Sequence, residues 1–130
     1  PGGEPLFVDV VPRTAWFSNL RSVLPARDWD TLRKRTYAKA GNVCQACGGR
    51  GPRHPVEAHE RWVFNAANRV QRLDRIVALC PACHAATHFG LARIRGFEAE
   101  AIHHLCQVNS WSEEQAWSEV HHRMNLARFQ

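Results

Sequence analysis

The sequence is poor in lysine: of its seventeen basic residues only Lys34 and Lys39 are lysine, and the rest are arginine. It has no run of about 18 apolar residues, so a membrane-spanning helix and a membrane partner are not expected. The opening stretch PGGEPLFVDVVPRTAW lacks the basic-then-apolar pattern of a secretory signal, so standard secretion is not expected. There is no internal repeat and no low-complexity segment.

What is present fits one compact domain. With 130 residues, 45% hydrophobic and 22% charged, the chain has little room for a second. The formal charge of +5 and a pI near 9.4 suit a polyanionic partner. Arginine adds a planar fork for bidentate phosphate contacts, which makes nucleic acid a fair partner. A GC-rich genome would raise arginine and alanine together, so composition ranks partners without identifying one.

Five cysteines is an odd count, and four of them form two Cys-x-x-Cys pairs, Cys44 with Cys47 and Cys80 with Cys83. That arrangement is more typical of a metal site in a reducing compartment than of a secreted disulfide framework, so a cytoplasmic location is expected. Four thiolates are the complement of a structural tetrahedral Zn²⁺, and the ion closes a loop that a small core cannot hold alone. Two disulfides or buried free thiols are the competing reading. Cys106, alone in an apolar helical stretch, reads as a core residue.

Along the chain, Leu6 to Val11 is β-branched and apolar up to Pro12, and reads as a short strand or an extended arm. Thr14 can cap a helix bearing Trp16, Phe17, Leu20, Val23 and Leu24 that Pro25 ends. Asp28 or Asp30 caps a second helix running to Gly41. Segments Val56 to Phe64 and Leu73 to Leu79 are strand-like and form a hairpin. After Cys80, Pro81 opens a helix for which Gly90 is the expected stop. Two further helices, about Phe97 to Val108 and Ser112 to Phe129, form a helical hairpin, with Ser112 and Gln115 as a capping box. The organisation is a helical scaffold over 1–41, a zinc-binding core over 42–91 and the helical hairpin over 92–130.

His84 and His88, four apart on a helix, share a face and can share a metal. His59 lies on the preceding strand pair. From Cys44 to His88, the order Cys-x-x-Cys, strand histidine, Leu-Cys-x-x-Cys-His and final histidine resembles the H-N-H nucleases, whose core is the treble-clef or ββα-metal domain. The resemblance implies a small α+β fold and a structural zinc on the four cysteines. It also implies a second divalent ion, Mg²⁺, Mn²⁺ or Zn²⁺, between strand and helix that contacts the scissile phosphate, and a strand histidine that activates water. Carried over, His84 and His88 match metal-binding helix positions and His59 the strand motif. Glu60 stands where the general-base histidine is usual, and Arg75 where the family has its asparagine, with Asp74 adjacent.

Several roles stay open from these residues. His59 can bind metal, act as base, or be a buried hydrogen-bonded residue. Glu60 can act as base or be an exposed strand carboxylate. Glu57 with His59, His84 and His88 can instead build a second, closed and purely structural metal site. Arg50, Arg53, Arg61, Arg72 and Arg75 can form a phosphate-binding face. Trp62 can stack on a base or fill the core, and the pairs His103-His104 and His121-His122 read as surface or packing residues. The expected function is a metal-dependent endonuclease acting on DNA. The alternative is a catalytically silent zinc module that binds nucleic acid or a protein partner.

Overall fold

The computed structural model describes residues 2–9, 19–65 and 67–129, with side chains to residue 125. It combines helices with one two-stranded antiparallel sheet, a small α+β arrangement. Among the described residues, no helix is long and apolar enough to cross a membrane.

Residues 2–9 are an extended arm without strand pairing. The arm instead bonds to loops and a helix end: Glu4 N–H donates to Gln45 O at 3.0 Å, and Asp9 N–H to Thr87 O at 2.9 Å. Its alternating Leu6 and Val8 are buried, as an extended chain with one apolar face requires. Thr14, Trp16 and Phe17 lie outside the described residues. Of the helix expected there, α1 (Leu20–Val23) is described, capped by Asn19, whose side chain accepts from Ser22 N–H at 2.9 Å.

Helix α2 (Ala26–Lys39) starts directly after Pro25 rather than at Asp28 or Asp30. The proline ring already sets a helix-compatible φ, so Asp28 falls in the first turn, where its charge faces free N–H groups. Gly41, at φ +67°, follows the helix end as expected.

The hairpin pairs β1 (Glu57–Asn65) with β2 (Val70–Leu79), so β2 begins three residues earlier than the apolar pattern suggests. Arg61 pairs with Arg75 and Trp62 with Leu73, which leaves Asp74 as the extra residue of a β-bulge.

Cys80 caps α3 (Pro81–Thr87), its sulfur accepting from Cys83 N–H. Gly90 does not stop this helix. The break falls at His88 (φ −90°, ψ 52°), and Gly90 lies inside a second short helix, α4 (Phe89–Ile94). Gly96, at φ +82°, is the residue that turns the chain. Helices α5 (Glu98–Asn109) and α6 (Glu113–Phe129) follow, joined through a left-handed Ser110. The expected capping box forms: Ser112 N–H donates to Gln115 Oε1 at 2.8 Å, and Gln115 N–H to Ser112 Oγ at 3.1 Å.

One buried cluster joins the arm, sheet and helices, with Leu6, Leu79, Phe89, Leu105 and Val120 among its members. Phe89 meets Trp117 edge to face at 5.9 Å. Cys106 is half-buried against this core.

Candidate metal centres

Two clusters of ligand-type side chains draw on α3 and the residues that flank it. The first is cysteine. A tight turn with Gly48 at φ +79° brings Cys44 and Cys47 together, and the start of α3 supplies Cys80 and Cys83. All four sulfurs lie within 4.8 Å of one another, and Cys47 Sγ is 3.7 Å from Cys80 Sγ. Zn–S bonds of about 2.3 Å in a tetrahedron set sulfurs about 3.8 Å apart, so the cluster has the size of a zinc site.

Hydrogen-bonding groups also approach the sulfurs. Cys47 N–H points at Cys44 Sγ (3.4 Å), Gly49 N–H at Cys47 Sγ (3.3 Å) and Cys83 N–H at Cys80 Sγ (3.5 Å). His104 Nε2, from α5, lies 3.1 Å from Cys83 Sγ. Four thiols this close cannot all ionise unaided. The hydrogen bond with Cys83 holds Cys44 down at about 4, while burial drives Cys80 up to about 11, and the same Cys44 contact together with burial raises Cys83. A divalent cation removes that conflict, because it binds thiolates and displaces their protons.

The pair His103-His104 reads from sequence as surface or packing residues, and the structure brings His104 of that pair to the cysteine cluster. His104→Ala is therefore expected to release zinc to a chelator roughly 10- to 100-fold faster or at lower chelator concentration, with His104→Gln intermediate. Zinc release followed with a chromogenic chelator checks this, and unchanged release from the alanine variant contradicts it.

The second cluster is His59, His84 and His88, whose ligand nitrogens also lie within 4.8 Å of one another. His84 and His88 keep helical proximity through His88 N–H to His84 O at 3.2 Å, although the helix breaks there, and their Nε2 atoms are 3.1 Å apart. Zn–N bonds of 2.0–2.1 Å imply N···N of about 3.3 Å, so this spacing also fits an ion. Ring centroids 4.8–5.2 Å apart place all three imidazoles around one point.

Carboxylates back two of the rings. Glu57 Oε1 is 2.9 Å from His84 Nδ1, and Asp9 Oδ2 is 2.6 Å from His59 Nε2. A carboxylate on the second ring nitrogen fixes the tautomer and raises the basicity of a ligating histidine. Burial works against the Asp9 charge, but the bond to His59 and the charge of Arg61 outweigh it and hold Asp9 below 3.8. Partial burial, then repulsion from His59 and His84, holds His88 down to about 4, and burial lowers His84 as well. Both imidazoles are thus neutral at pH 7, the state in which they bind metal.

Strand alternation decides who joins the triad. Glu57, His59 and Arg61 share one face of β1 and meet α3 or the arm, whereas Glu60 and Trp62 share the other. Glu60 is not brought to the histidines: its carboxylate accepts Leu20 N–H at 2.8 Å and Trp62 Nε1–H at 3.1 Å. Glu57 sits behind a histidine, not among the clustered ligand atoms.

The arginines divide as well. Arg61 is 3% exposed, its guanidinium bound to Glu4 Oε1, Asp9 Oδ2 and Pro5 O and stacked 4.1 Å from the Phe7 ring. It is committed to the arm and closed to a phosphate. Arg75 pairs with Glu4 and Asp74. Arg50, Arg53 and Arg72 are exposed, Arg72 with a long contact to Asp74 at 3.8 Å. No protein-family model matches the chain, and no curated protein or solved structure matches it either.

Proposed function

We propose that the protein is a metal-dependent phosphodiesterase of the H-N-H type acting on DNA, with the four cysteines holding a structural zinc in a treble-clef core. The observation that carries this reading is the open histidine triad with carboxylates behind two of its rings, set on the same helix as the closed four-cysteine cluster. Three imidazoles would leave a coordination position for substrate, whereas four thiolates leave none. A divalent ion held by His59, His84 and His88 supplies Lewis acidity at a phosphoryl oxygen.

The chain's own residues do the rest. Asp9 and Glu57, bonded to the outer nitrogens of His59 and His84, orient the imidazoles. Exposed Arg50, Arg53 and Arg72 supply the sequence-independent attraction for phosphates. Glu60, tied to α1 and Trp62, acts as a strut.

That strut role favours a second reading, a zinc module that binds nucleic acid or a protein without cutting it, because the usual base position is spent on structure. Nicking of supercoiled plasmid with Mg²⁺, Mn²⁺ or Zn²⁺ separates the two. Nicking by the wild type that falls at least about a hundredfold in His88→Ala supports the nuclease. Equal nicking by both proteins, or none by either, contradicts it.

A further inference from the structure

A groove of about 440 Å³ lies among α3, α4 and the start of α5, and His84 and His88 form part of its wall. Its size falls in the range of roughly 300–1,000 Å³ in which pockets take small ligands. The rest of the wall is largely apolar, with Ala82 and Ala85 on α3 and Leu91 on α4. Phe97, 57% exposed, adds an aromatic ring, and Leu91 is 46% exposed.

One arginine lines the groove, and a loop carrying two more packs beside it. Arg95 is an exposed wall residue. The loop carrying Arg50 and Arg53 lies against Pro81, another wall residue. Gly51 makes that approach possible, since a Cβ there would sit 2.3 Å from His54 O and 2.6 Å from Pro81 Cδ. Glu57 and Glu100 also line the groove. They disfavour a phosphate inside it, while Glu100 can accept from the N–H groups of a base.

We infer that this groove holds an unpaired nucleobase next to the scissile phosphate, so that the protein selects single-stranded over duplex nucleic acid. The inference rests on the nuclease reading. A ligand that spans the groove and the triad must present an apolar, hydrogen-bonding body and an anionic group a few ångströms apart, and a nucleotide does. A duplex turns phosphates and sugars outward and keeps its bases stacked, so it has nothing to place against Phe97 and Leu91. An unpaired base has a free π-face for the ring and free edges for Glu100.

The test uses the full chain and fluorescein-labelled DNA of one sequence, single-stranded and duplex, with affinity read by anisotropy and metal-dependent cleavage of the single strand and nicking of plasmid measured on the same preparation. Single strands are expected to bind at least about tenfold tighter than duplex, with Phe97→Ala losing roughly five- to a hundredfold on single strands and little on duplex. Phe97→Tyr, which keeps the ring, is expected to retain the preference. Equal affinity for both forms, or an unchanged preference in Phe97→Ala, with nicking intact, overturns the groove assignment alone. Absence of metal-dependent cleavage of both the single strand and the plasmid overturns the nuclease reading and this inference with it.

Discussion

With zinc on the four cysteines as proposed, Cys83→Ala is expected to abolish tight zinc binding and the cooperative thermal transition together. A structural zinc contributes apparent free energies of about 10–16 kcal/mol in small domains, and net stability is only about 5–15 kcal/mol. Losing most of the first removes the second. The effect reaches beyond the site because the cluster ties together distant segments, with Cys47 and Cys80 33 residues apart. Their sulfurs join the knuckle to the base of α3, and the arm hangs on the knuckle through Glu4 N–H to Gln45 O. Cys83 is fully buried and is also the sulfur that meets His104, so its removal takes away that contact to α5 as well. Circular dichroism against temperature, with zinc content on the same sample, checks this. A variant that melts cooperatively near the wild-type temperature contradicts the structural role.

Arg61→Met is expected to destabilise the fold by roughly 3–5 kcal/mol, the usual cost of removing one partner from a buried ionic network. Methionine keeps much of the side-chain volume, so the loss measures the guanidinium rather than a cavity. Without Arg61, Glu4 and Asp9 stay beside the sheet with one cation fewer, though Arg75 still reaches Glu4 and His59 still reaches Asp9. The arm then loses three of its hydrogen bonds and the stacking on Phe7. Urea unfolding gives the stability, and a loss under about 1 kcal/mol contradicts the anchoring role.

Local pattern carried much of this site into view. Cys-x-x-Cys spacing is a property of a tight turn, and His84 with His88 of one helical turn, so both clusters can be anticipated from residues a few positions apart. The hairpin was legible for the same reason. Long-range partners were not. Asp9 lies 50 residues from His59, and Glu4 71 from Arg75, so nothing local marks an apolar arm as the source of a carboxylate for the triad. Arg61 and Arg72 look alike in sequence, and only the arm's acids bury one and leave the other in water. His104 was hidden because the packing of α5 on α3 decides which histidine of the pair meets a sulfur. Glu60 is the opposite case. Strand alternation sets adjacent residues on opposite faces, which already separates it from His59, while motif comparison alone sets them side by side.

The measurement that bears most directly on the account is the zinc count by native mass spectrometry after zinc reconstitution at pH 7.5, for the wild type and for the protein with His59, His84 and His88 all replaced by alanine. Two ions on the wild type and one on the variant are expected, the retained ion belonging to Cys44, Cys47, Cys80 and Cys83. One ion on both proteins, or two on both, would contradict the claim that the histidine triad is a metal centre of its own.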